Sequence, residues 1–199
     1  MHPVIQAAPP TGQGVQYHFG RIFLAPSTER EVFLKINPMI TSGLEINKVE
    51  VLTPQQTHHF VMYKFYTGAD GMFSVGLRGV DENSHGSGEA VSGFRSGMNI
   101  LELPAGKAYV VPANTIYDYN LHIVNNNPDS VLACDIYINF YTQLMGTADG
   151  YMYTRNFPNF DIAISFDNPE HTFTVVAKDT DNIETNYWVL WSLYSHTHR

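Results

Sequence analysis

The chain has 199 residues with a formal net charge of −8, 15% charged residues and 13% aromatic residues. This composition is typical of a globular protein and argues against a disordered chain or a coiled coil. The sequence contains no run of three Lys or Arg. Since nucleic acids and anionic membranes attract concentrated positive charge, neither is an expected partner.

No stretch of the sequence approaches the roughly 18 apolar residues of a membrane-spanning helix. The opening residues, MHPVIQAAPPTGQG, lack the basic and apolar regions of a signal peptide. If the parent protein is exported, we expect this chain to begin after the cleaved segment. Residues 1–14 are predicted to form a flexible leader because they combine Pro, Gly and polar residues.

Twelve short apolar runs follow the leader, from VQYHFGRIFLA to NYWVLWSLYSHTH, with turn sequences such as TGADG and NNNPDS between them. This pattern predicts an all-β fold, an antiparallel β-sandwich or jelly roll. Residues 68–106 carry nine of the fifteen Gly, so we expect a long surface loop with a short strand inside it. Gly, Pro and polar residues at 146–160 indicate a boundary, with one domain at 15–155 and the opening strands of a second β-sandwich at 156–199.

Nine His and a lone cysteine, Cys134, limit the possible metal ligands. An intrachain disulfide and Cys-based zinc or redox motifs are excluded. His58 and His59 are adjacent in QQTHHFVMYKF, and His122 ends the run YDYNLHIVNNN. Neighbouring side chains of a regular strand point to opposite faces, so both neighbouring His reach one metal only if the strand bends or bulges. Three imidazoles suit copper or zinc; the alternative is one exposed His, one partly buried His and an unrelated third.

A second candidate pair, His196 and His198, follows the strand-like run NYWVLWSLYS. Residues i and i+2 of a strand project to the same face, so this pair could chelate one ion. The alternative is that HTHR is a frayed tail. Asp118 and Asn120 are predicted to share a face with His122, where they could orient an imidazole.

Four stretches together resemble the copper type II, ascorbate-dependent monooxygenases, the family of the peptidylglycine alpha-hydroxylating and dopamine beta-monooxygenases, and above all its bacterial relatives. The stretches are HFGRIFLAPSTEREVFL, THHFVMYKF, LPAGKAYVVPANTIYDYNLHIVNNNPDSVLACDIYINFYT and VLWSLYSHTHR. The resemblance implies two consecutive jelly-roll domains, each with one copper ion, in an extracytoplasmic protein. It also implies a small-molecule or peptide substrate, O₂ and a one-electron reductant such as ascorbate as partners.

By the same resemblance, His58, His59 and His122 match the ligands of the electron-supplying copper. His196 and His198 match the catalytic copper, at which the substrate is hydroxylated. The family's Met ligand to that second copper lies well downstream of the HxH motif, where this chain has only Arg199. We therefore expect copper at the first site, an incomplete second site and poor turnover by this chain alone. The alternative is a non-enzymatic, extracytoplasmic copper-binding or carbohydrate-binding β-sandwich module.

Overall fold

The computed structural model describes residues 5–36, 41–154 and 167, and its regular structure is almost entirely β-strand. The predicted all-β sandwich is confirmed. Two short 3₁₀ helices, Ala69–Met72 and Val80–Glu82, interrupt the strands. The strands are β1 (Gly14–Leu24), β2 (Thr28–Lys35), β3 (Leu44–Thr53), β4 (Thr57–Phe65), β5 (Gly76–Gly79), β6 (Gly88–Phe94), β7 (Gly97–Glu102), β8 (Lys107–Val111), β9 (Tyr117–Asn125), β10 (Leu132–Gln143) and β11 (Gly150–Tyr151).

The chain divides into two compact units, Met1–Arg155 and Asn156–Arg199. The eleven strands found among the described residues all lie in the first unit. Apart from Asp167, the second unit lies outside the described residues. The strands predicted there for a second β-sandwich stay a prediction.

Two sheets form the sandwich. The first has the strand order β1-β10-β3-β8-β11, with β7 also paired to β3. The second has the order β5-β2-β9-β4-β6. The pairs are antiparallel, except that β11 runs parallel to β8. In the second sheet β9 is the central strand, with β2 on one side and β4 on the other.

Side chains of β9 point alternately into the core and to the outer face of the second sheet. Tyr117, Tyr119, Leu121 and Ile123 pack into the hydrophobic core, which contains residues of both sheets. The residues between them, including Asn120 and His122, therefore project from the opposite face. Cys134, on β10, is fully buried in the same core.

The Gly-rich segment 68–106 differs from the expected long loop. It contributes three strands, of which β6 pairs with β4 and β7 pairs with β3. A Cβ atom added at Gly88 would lie 2.7 Å from the Lys64 carbonyl oxygen. Gly at this position therefore permits close pairing of β6 with β4. Gly is usually typical of loops, but here it lies within a sheet.

Residues 5–13, within the predicted leader, form no helix or strand but bond to the first sheet. The Gln6 carbonyl accepts a hydrogen bond of 3.0 Å from Gln16, and the Ala7 carbonyl accepts one of 2.8 Å from Asn139. Gln6 itself is buried. Across the described ranges, no helix has the length and apolar character needed to cross a membrane.

Candidate metal centre

A β-bulge at the start of β4 brings the adjacent histidines to one face. Thr57 pairs with Ile123 and His59 pairs with His122, so His58 is an extra residue between two consecutive positions of β9. A turn precedes the bulge, in which the Thr57 N–H donates to the Pro54 carbonyl at 3.0 Å. The sequence required such an irregularity if both His were to reach one ion, and the structure contains it.

The three imidazoles of His58, His59 and His122 converge. Their ring centroids are 5.0 to 5.3 Å apart. One ring nitrogen from each lies within 4.8 Å of the other two, and no second group of three potential His, Cys, Asp or Glu ligands occurs in the described part of the chain. His58 is exposed and His59 is buried, so the cluster opens toward solvent on one side.

Hydrogen bonds determine which nitrogen of His59 is left to bind a metal. Asn120 Nδ2 donates to Glu31 Oε1 at 2.9 Å. Since a carboxylate only accepts, this bond fixes the orientation of the Asn120 amide. Asn120 Oδ1 lies 2.7 Å from His59 Nε2, which must therefore carry the proton. The lone pair of neutral His59 is then on Nδ1, 3.2 Å from His58 Nδ1.

His122 has a matching arrangement. Its Nε2 lies 3.4 Å from Glu29 Oε2, a carboxylate that is 70% exposed. Its Nδ1 is buried and has no hydrogen-bond partner among the described residues. A buried imidazole nitrogen without a partner is costly, and a metal ion at this position would use its lone pair.

The three residues fit a copper or zinc ion. Metal–nitrogen bonds of about 2.0 to 2.1 Å place two nitrogens of one tetrahedral site about 3.3 Å apart. The observed 3.2 Å between His58 Nδ1 and His59 Nδ1 agrees with that spacing. All three donors are imidazoles, and two of them have a partner at the other ring nitrogen, Asn120 at His59 and Glu29 at His122, as in many metal sites.

The structure places the other predicted site residues differently. Asn120 contacts His59 as described. The Asp118 carboxylate instead accepts hydrogen bonds from Arg78 and Ser84, and all three residues are buried. His196 and His198 lie outside the described residues, so their assignment stays a prediction.

Glu29 and Glu31 were missed by the sequence reasoning. They lie on β2, where Glu31 pairs with His122 across the β2–β9 ladder. The signal that could have found them is the alternation of TEREVFLK, which puts both Glu on one face. This alternation indicates a contact with the histidines only when β2 is known to neighbour β9.

Comparisons with known proteins do not identify a family for this chain. No family model and no curated protein matches the chain. A solved structure described as that of infectious bursal disease virus Gx strain matches with 12% identity and a TM-score of 0.22. The match covers 70% of this chain and only 38% of that one. A likeness at this level carries no argument about function.

Proposed function

We propose that the first unit is a copper-binding redox domain, with His58, His59 and His122 as the ligands. The observation that carries the proposal is the bulge in β4, which brings three imidazoles together with an unpartnered buried nitrogen among them. A site of nitrogen donors binds copper more tightly than zinc by the general order of divalent-metal affinities. When bound, copper supplies one-electron transfer at this site.

The chain's own residues hold the ligands in place. Asn120 and Glu31 keep the proton of His59 on Nε2 and its lone pair on Nδ1. Glu29 Oε2 lies 3.4 Å from His122 Nε2, which leaves Nδ1 for the ion. Both supports lie outside the ligand set, so His59 and His122 are oriented without the ion.

We further propose that this domain belongs to an extracytoplasmic, copper-dependent monooxygenase, with His196 and His198 as its catalytic residues. The reaction would insert one oxygen atom of O₂ into a substrate C–H bond. It would consume two electrons from a donor such as ascorbate and two protons, and would release water with the hydroxylated product. The support for this step is the order of the sequence motifs.

Copper(I) titration of the full chain against a competing chelator tests the metal assignment. We expect His122→Ala to remove one tightly bound copper, while His18→Ala, which changes a His bonded to Asp135 outside the cluster, leaves that ion bound. X-ray absorption should count fewer His ligands in the His58→Ala variant. Unchanged copper uptake in both cluster variants would show that the ion, if any, is held elsewhere.

Oxygen consumption separates the enzyme from a non-enzymatic copper-binding module. A monooxygenase should couple ascorbate oxidation to product formation, and His196→Ala should abolish the coupling without removing the copper held by His122. Ascorbate-driven oxygen uptake no greater than that of free copper would favour simple copper binding.

A further inference from the structure

An open cavity lies at one edge of the sandwich, away from the histidine cluster. Its volume is about 400 Å³, and residues of β1, β2 and β5 line it. Leu34, Leu77 and Phe23 give it apolar walls. Phe23 is 60% exposed and Leu77 is 45% exposed, so apolar surface remains available to a ligand. This volume is within the range of small-molecule sites.

A bulge in β1 contributes a first positive charge to this cavity. The register of β1 against β10 shifts between Phe19 and Ile22, so Arg21 lies in the irregular stretch. Its Nε donates to Asp135 Oδ2 at 3.0 Å. Asp135 Oδ1 also lies 3.2 Å from His18 Nε2. One carboxylate thus holds both the guanidinium and the imidazole at the cavity wall.

Arg30 contributes a second positive charge, and it is not neutralised. Its guanidinium makes no hydrogen bond or ion pair within residues 5–36 and 41–154. Its neighbours Glu29 and Glu31 project from the other face of β2, toward His122 and Asn120. Arg30 is exposed, so on a chain with a formal net charge of −8 it offers a free guanidinium at the rim of a cavity with partly apolar walls.

The geometry points to a binding site for a small organic anion with an apolar body, such as a medium-chain carboxylate. Arg30 recognises the carboxylate, because a guanidinium forms paired, charge-assisted hydrogen bonds with that group. The walls at Phe23, Leu34 and Leu77 cover the apolar body. Neither contribution uses the histidine cluster, so this site does not depend on the proposed copper.

Isothermal titration of the full chain with octanoate tests the assignment. We expect saturable binding of octanoate at one site. Binding should be at least about tenfold weaker for 1-octanol, which lacks the charge, and for inorganic phosphate, which lacks the apolar body. Arg30→Gln should weaken octanoate binding about tenfold. The matched control is Arg95→Gln, an exposed arginine that does not line the cavity.

Leu77→Thr tests the apolar wall at an exposed strand position and should also weaken octanoate binding, whereas Leu144→Thr, at a residue that is 78% exposed, should not. Amide shifts on octanoate addition should map to β1, β2 and β5. Lack of saturation overturns the proposal. So do equal affinities for octanoate and 1-octanol, or an effect of Arg30→Gln no larger than that of Arg95→Gln. Circular dichroism of each variant ensures that these comparisons are made between folded proteins.

Discussion

The Nε2 atom of His59 lies 2.7 Å from the Oδ1 atom of Asn120, and both residues are buried. Asn120 is held in turn by Glu31. This chain of contacts crosses from β4 through β9 to β2, so three neighbouring strands determine the orientation of one imidazole. The outer face of the sheet therefore acts as a scaffold for the histidine cluster.

Replacing Asn120 with Ala should weaken copper binding by roughly 10- to 100-fold, because His59 loses the acceptor that fixes its tautomer. Chelator competition measures this change. Asn125→Ala is the matched control, since Asn125 is an equally buried Asn of β9 whose side chain bonds to backbone carbonyls near Leu24. Asn125→Ala should lower stability and leave the copper affinity of the folded protein unchanged. Equal copper affinities for the two variants would contradict the role given to Asn120.

Glu29→Gln should have a smaller effect on copper binding than Asn120→Ala. The Glu29 carboxylate is 70% exposed and lies 3.4 Å from His122 Nε2, so water can take its place beside the imidazole. We expect an affinity loss of no more than about threefold, because this contact is solvent-screened. The same competition titration measures it. A loss as large as that of Asn120→Ala would mean that Glu29 orients His122 as strictly as Asn120 orients His59.

Asp118→Ala should destabilise the first unit by about 3 to 5 kcal/mol, because it leaves the buried Arg78 guanidinium without its counter-charge. Urea unfolding measures the change. Glu89→Ala provides the comparison, since Glu89 pairs with Lys64 at 3.6 Å near the surface, and its loss should cost less than about 1 kcal/mol. Copper affinity of the folded Asp118→Ala protein should match the wild type, because Asp118 bonds Arg78 and Ser84. A selective loss of copper would instead assign Asp118 to the metal site.

Acid should weaken the fold through Glu45. Burial raises the pKa of this carboxyl, but hydrogen bonds from Gln143, the Gly146 and Ala148 N–H groups and Tyr151 outweigh it and lower the pKa from 4.5 to about 2. A lowered pKa in the folded state stabilises the fold at pH above 4.5, and this stabilisation is lost as pH falls from 4.5 toward 2.

Urea unfolding across that pH range checks the assignment. Glu45→Gln should be less stable than the wild type at neutral pH and should lose less stability on acidification. Glu102→Gln, at an exposed position of β7, should follow the wild-type curve. If the stability of Glu45→Gln depends on pH as that of the wild type does, Glu45 is not a source of acid sensitivity.

Local signals predict the sandwich, and they make a bulge the condition for a metal shared by the adjacent histidines. Alternation along β9 separates Tyr119 and Leu121 from Asn120 and His122, and adjacent His58 and His59 require an irregular strand if they share an ion. Glu31 could not be placed in this way, since its contact with Asn120 depends on which strands are neighbours. The prediction of a long loop in the Gly-rich segment was wrong for a related reason. Gly88 is needed for the close approach to Lys64 in the β4–β6 pair, and local patterns do not reveal that pairing.

The burial of Cys134 matters for the proposed copper site. It is the chain's sole cysteine, and burial raises the pKa of its thiol to about 11. The reactive thiolate is therefore scarce at neutral pH, and its sulfur lies within the core. Soft thiolates compete with imidazole for copper(I) and are oxidised when the metal cycles. Hiding this sulfur leaves the exposed surface of the protein without a thiol that could strip the ion or crosslink two molecules.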